Sequence, residues 1–195
     1  MTINETVKAE LKDFSKNAAV SLVTDMSSYF SAIKGVVEHA NEAGLECIYI
    51  TATIPSTVIK EQLAAESLKT DHLNFIDCIS FMVGSASDQE NEDIIYVESP
   101  SMLENIMLKI DIWIKRLKGK NLMLLLDSVN TLSMHNDERL LSEFLHYIIN
   151  NLRSRGIKTV ILSVEGQTPE DIETILRLVC DETLEIFGTE EAKPE

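Results

Sequence analysis

No glycine lies between Ser21 and Lys34, in the stretch SLVTDMSSYFSAIKG that leads from a short apolar run into an apparent helix. A turn that holds phosphate through its backbone needs glycines to curl the chain and aim N–H groups outward. It also needs a lysine to neutralise the ligand. The turn has neither, which excludes an ordinary phosphate loop. Cysteine is scarce: Cys47, Cys78 and Cys180 are far apart and odd in number. That excludes a disulfide framework and suits small buried hydrophobes in a reducing cytoplasm. His39, His72, His135 and His146 are equally scattered, so no metal site is expected.

Long apolar runs are absent too. No window approaches the roughly 18 uninterrupted apolar residues of a membrane span, and the opening MTINETVKAELKDFSK lacks the apolar centre of a signal peptide. Positive charge is in short supply. With 17 Lys and Arg against 32 Asp and Glu, the formal net charge is −15. Such a chain is repelled by nucleic acid and anionic membranes, so neither is an expected partner. The densest basic stretch, Lys115-Arg116-Leu-Lys118-Gly-Lys120, closes a predicted helix, where cations meet the negative end of the helix dipole.

What is present is a regular alternation of elements. At 195 residues, 45% of them apolar, one domain can bury a sizeable core without disulfides or metals. An N-terminal helix (Thr6 to Lys16, within residues 1–17) precedes a strand from Ala18 to Thr24. Ser28 to Ala43 has apolar residues at helical spacing, and Gly44 is placed to cap it. Cys47 to Ala52 reads as a buried strand, and Pro55 opens a helix to about Leu68. Leu73 to Phe81 and Ile94 to Val97 read as strands, flanking a polar loop, SASDQENED. Ser99-Pro100 starts a helix through Lys118.

Asn121 to Leu126 is wholly apolar, as at the centre of a parallel sheet. Asp137 to Arg155 is the clearest helix, and Lys158 to Val164 is another strand. A helix from Pro169 to Val179 and a strand from Thr183 to Phe187 follow. Residues 188–195 form an acidic tail expected to be disordered. The order predicts one α/β domain over residues 1–195, with helices on both faces of a mostly parallel sheet.

The run LMLLLDSVNTL, ending its strand at Asp127-Ser128, is followed by DERLLSEFLHYIINNLRSRG and IKTVILSVEG. With the earlier strand CIYIT and the segments IIYVESPSML and FIDCIS, this resembles the RecA superfamily, and most of all its archaeal KaiC-type branch. The resemblance spans roughly residues 18 to 187 and implies a three-layer α/β/α RecA-like core. In phosphate-loop ATPases an Asp at such a strand end holds Mg²⁺. The same Asp127 also suits an ordinary helix cap or loop acceptor.

Against that family pattern three parts are missing. The glycine cradle is gone. Counting back from Gly44 puts Tyr29, within two residues, where the loop lysine belongs, between Ser28 and Phe30. The acidic pair that the family usually carries after its second strand is replaced by Thr53 and Ile54, neither a general base at neutral pH. Asp25 adds a negative charge to the turn, and Lys34, one helical turn on, is a poor substitute for the loop lysine. The vestigial nucleotide and Mg²⁺ site is therefore Asp127, Ser128, Ser27, Ser28, Tyr29 and Thr53, with no catalytic residue and no metal site.

Other chemistries fit less well. A phosphoacceptor domain built on Asp25, Asp127 and Ser163 lacks the late-strand lysine it needs, and no G-x-S-x-G elbow occurs. Cys78 has no evident His partner. Met102, Met107, Ile110, Trp113 and Ile114 form an apolar stripe that suits either core or a partner surface. The acidic loop SASDQENED suits a solvated connector or a docking loop for a basic partner. The expected function is a cytoplasmic pseudo-ATPase without a cofactor, regulating or scaffolding through contacts with itself or an active homologue. The alternative is a sensor that binds Mg-ATP or Mg-ADP through Asp127 and donors from Ser27 and Ser28, without efficient hydrolysis. A hydrolase of rearranged chemistry is a third option.

Overall fold

Apolar alternation on both sides of every central strand forces a sheet covered twice. In β5 (Leu122–Asp127), Met123 and Leu125 point to one face and Leu124 and Leu126 to the other, all fully buried. The structure, a computed structural model, describes residues 1–86 and 92–188. Its other strands are β1 (Ala19–Thr24), β2 (Glu46–Thr51), β3 (Leu73–Asp77), β4 (Ile94–Tyr96), β6 (Lys158–Val164) and β7 (Glu182–Ile186). They form one sheet in the order β4-β3-β2-β5-β6-β1-β7, and every described pairing is parallel.

Helices α1 (Ile3–Asp13), α2 (Tyr29–Ala43) and α3 (Ser56–Ala65) cover one face. Helices α4 (Leu103–Arg116), α5 (Val129–His135), α6 (Glu138–Ser154) and α7 (Glu170–Val179) cover the other. This is the three-layer α/β/α arrangement of a RecA-like fold. Gly35 lets α1 and α2 cross closely, since a Cβ there would lie 2.6 Å from the Val7 Cβ and 2.7 Å from the Asn4 carbonyl oxygen. Among the described residues, no helix is long and apolar enough to cross a membrane.

Several boundaries differ from the sequence reading, each for a local reason. β3 stops at Asp77 rather than running to Phe81, because the Asp77 carboxylate takes the N–H groups of Ile79 and Ser80 and turns the chain. α4 starts at Leu103, not Ser99. Ser99 holds a turn, accepting the Ser101 N–H at its hydroxyl and the Met102 N–H at its carbonyl. α1 is displaced towards the N-terminus, where the Thr2 N–H donates to Glu5, a capping-box bond.

α3 ends at Ala65 instead of Leu68, closed by the Ser67 N–H bonding to the Ala64 carbonyl with Ser67 in left-handed geometry. α5 was not expected as a helix, since seven residues are too few to display a period. Cys47 and Cys78 are buried as expected, but Cys180 is only half-buried. Most of the acidic loop (87–91) and most of the tail (189–195) lie outside the described residues.

Candidate functional site

Asp127 is the last residue of β5 and is fully buried. Alternation places it on the α1–α3 face with Met123 and Leu125. Two phenols meet it there. Tyr49 donates to Oδ2 at 2.6 Å, and Tyr29 donates to Oδ1. Tyr49 sits on the neighbouring β2 opposite Leu125, two residues short of Asp127's own level, and its ring reaches forward to the carboxylate. Stacking on Phe75, 5.0 Å between ring centres, fixes that ring. Tyr29 is the first residue of α2. β6 separates β1 from β5, so a long side chain spans the gap between the turn after β1 and Asp127.

Burial dominates the electrostatics. It raises the Asp127 carboxyl to about 6, against the two phenolic hydrogen bonds, which act to lower it. Burial and then the negative charge of Asp127 push both tyrosines up, so each phenol keeps its proton and remains a donor at neutral pH. The carboxylate has no cationic partner among the described residues.

The turn between β1 and α2 is closed on itself. Asp25 accepts from the Ser27 hydroxyl at 2.6 Å, the Ser28 N–H at 2.8 Å and the Ser28 hydroxyl at 3.1 Å. From the far end of the chain, the Gly188 N–H adds a fourth bond at 2.8 Å. These bonds, led by Ser27, hold the Asp25 carboxyl down at about 2 against its partial burial. The anion at the start of α2 is thus the protein's own carboxylate, and Ser27 and Ser28 turn their donors onto it. Asp25 and Asp127 share no hydrogen-bond partner among the described residues.

The remaining predicted residues sit at the mouth of the site. The Thr53 hydroxyl is 2.7 Å from that of Thr131 and 3.5 Å from that of Ser128. Ile54 lends only its carbonyl, to the Thr51 hydroxyl. Lys34 pairs with Glu66 at 2.7 Å, between α2 and α3. Of the α4 stripe, Trp113 is core, donating its indole N–H to the Phe75 carbonyl, and Met102 lies outside the helix as its N-cap.

Three residues escaped the sequence reading. Tyr49 was hidden inside an apolar strand, and only its phenol in the run CIYIT hinted at a buried polar partner. Thr131 lay in the unrecognised α5. Asp77 carries the densest cluster of donors, from the Ser56 N–H and hydroxyl, the Ile79 and Ser80 N–H groups and the Ser80 hydroxyl. An Asp closing an apolar strand with a Ser three residues on is a legible turn signature.

A parallel sheet of this order between two helical layers, with a buried acid closing its central strand, defines a RecA-like α/β domain. Residues 29–187 match the family model described as ATPase: KaiC, and the chain belongs to that family. Among solved structures it is similar in fold to the KaiC-like protein PH0186 from the hyperthermophilic archaeon Pyrococcus horikoshii OT3. That match has 15% identity and a TM-score of 0.65, over 91% of this chain and 74% of that one. A second protein of Pyrococcus horikoshii OT3, PH0250, aligns at 13% identity with a TM-score of 0.63, over 95% of this chain and 88% of that one. No curated protein matches the sequence.

Proposed function

We propose that this chain is a catalytically inactive member of the KaiC family that regulates or scaffolds through protein contacts. The observation that carries the reading is the state of Asp127. Both its oxygens are occupied by phenols, one of them on Tyr29, where the sequence places the family's lysine. A Mg-nucleotide at this position requires a carboxylate free to accept from metal-bound water, a cation for the phosphates and backbone donors in the turn. Here the Ser28 N–H and the Ser27 and Ser28 hydroxyls are committed to Asp25, no cation pairs with Asp127 among the described residues, and Thr53 and Ile54 offer no base. The residues present do not fit the cofactor.

A groove between α4 and α6 supports the contact role. It encloses about 570 Å³ and exposes Leu108, Leu140 and Tyr147. In a KaiC-family chain this is a surface for a second copy or an active homologue.

Melting with MgATP, MgADP or MgGTP, alongside phosphate release, tests the proposal. A ligand at about 100 times its dissociation constant adds roughly 2.7 kcal/mol, a shift of several degrees. We expect no Mg²⁺-dependent shift and no turnover. A shift that Asp127→Ala abolishes would favour the nucleotide sensor instead, and turnover lost in the same variant would make the chain an enzyme.

A further inference from the structure

Six of this acidic chain's 17 lysines and arginines gather at the end of the sheet opposite Asp127. There a cavity of about 730 Å³ opens where β5 and β6 begin and α1, α2 and α4 end. Lys12, Lys16, Lys118, Lys120, Arg155 and Lys158 line it, and no carboxylate among the described residues does. Three of the six are paired at the rim: Lys12 with Glu42 at 2.8 Å, Lys120 with Glu46 at 3.7 Å and Arg155 with Asp111 at 2.7 Å. Among the described residues, Lys16, Lys118 and Lys158 have no carboxylate within ion-pair distance.

Lys158 is the unusual one. Only 5% exposed, it donates to the Leu11 carbonyl at 2.6 Å and lies 3.3 Å from His39 Nε2. His39 is 3% exposed, and its Nδ1 is buried without a partner. An ammonium out of water without a counter-charge is costly, and an unpaired imidazole nitrogen adds to the cost. Helix ends that favour cations account for Lys118 after α4 and Arg155 after α6, and the Leu11 carbonyl accounts for one bond of Lys158. They do not account for a cavity lined by a buried lysine and an orphaned imidazole nitrogen with no carboxylate among the described residues. The walls between the bases are apolar, from Phe14, Ile114 and Leu117.

We infer that this cavity binds a small organic phosphate, its phosphoryl group among Lys16, Lys118 and Lys158 and its apolar body against Phe14 and Leu117. Five lysines to one arginine suit a compact multiply charged phosphate better than a planar carboxylate, which the arginine fork recognises. The site is independent of Asp127 and needs no metal.

Phenyl phosphate, titrated into isotopically labelled protein with EDTA at constant ionic strength, is the probe. The expected result is saturable amide shifts confined to residues 14–16, Leu45, residues 117–121 and residues 156–158, with inorganic phosphate binding more weakly. Lys16 and Lys118 are exposed, so Lys16→Glu and Lys118→Glu should leave the melting temperature in place while weakening binding about tenfold. Absence of saturable shifts, shifts at the Asp127 end, or undiminished affinity in both variants overturns the inference. Equal affinity for inorganic phosphate overturns the apolar half of it.

Discussion

Asp77 and Asp127 stand at the same level of the sheet, one on each side of Thr51, and both are completely buried. Their surroundings are opposites. Asp77 accepts five bonds, three of them from backbone N–H groups that no side-chain replacement removes. Asp127 accepts two, both from side chains that arrive from other elements. A carboxylate that sets a turn is held by the backbone of that turn. Asp127 is served instead by groups that can be exchanged, two phenols from other elements. On our reading, Asp77 maintains the fold and Asp127 marks a nucleotide position that the protein has filled from within.

The sharpest way to break that contrast is to remove each acid. Asp77→Ala orphans three backbone N–H groups around the end of β3, at about 1–3 kcal/mol for each buried donor left unpaired. Chemical denaturation should register a loss of about 4 kcal/mol or more. A loss near 1 kcal/mol would remove the structural role.

Next in size is pH dependence. The folded carboxyl of Asp127 titrates at about 6, above its ordinary 3.8. The native state therefore binds the proton more tightly than the unfolded chain. That contribution is fully present below about pH 4 and is lost as pH rises through about 6. Relative to Asp127→Asn, wild type should lose about 2 kcal/mol of stability between pH 4 and pH 8. The subtraction matters because buried His39, held down at about 4, works in the other direction and is common to both proteins. A flat difference would show that burial does not control this carboxyl.

Tyr49→Phe should cost about 2 kcal/mol, because it leaves one oxygen of Asp127 without a donor. In an Asp127→Leu background the same substitution should be nearly neutral, and that non-additivity is the signature of the pair. Equal costs in both backgrounds would assign the loss to the packing of Tyr49 on Phe75. The smallest effect belongs to the mouth of the site, where Thr131→Ala, removing the partner of Thr53, should change stability by about 0.5 kcal/mol.

The succession of strands and helices and their layering were legible because β2, β5 and β6 are nearly continuous apolar runs, as strands buried on both faces are, and because apolar residues recur every three to four along α2 and α6. That signal needs no partner to be read. What stayed hidden were contacts closed across long separations. Tyr49 and Asp127 are 78 residues apart, and Gly188 reaches Asp25 over 163. No local pattern encodes either. The lack of glycine and lysine in the turn was readable from the sequence itself, and Tyr29 is the first residue of the helix that follows. Its bond to Asp127 depends on β6 lying between β1 and β5, which is a property of topology. The end of β3 was misread because Cys78 and Ile79 continue the apolar run after the carboxylate has already turned the chain.

The central claim is that Asp127 is closed to a Mg-nucleotide. Calorimetric titration of MgADP into wild type and Asp127→Ala at neutral pH tests it most directly. The account predicts no saturable Mg²⁺-dependent binding in either protein; a Mg²⁺-independent signal weakened by Lys118→Glu would belong to the basic cavity. Saturable binding to wild type that requires Mg²⁺ and disappears with Asp127→Ala would contradict the account and show that the two phenols yield to a ligand.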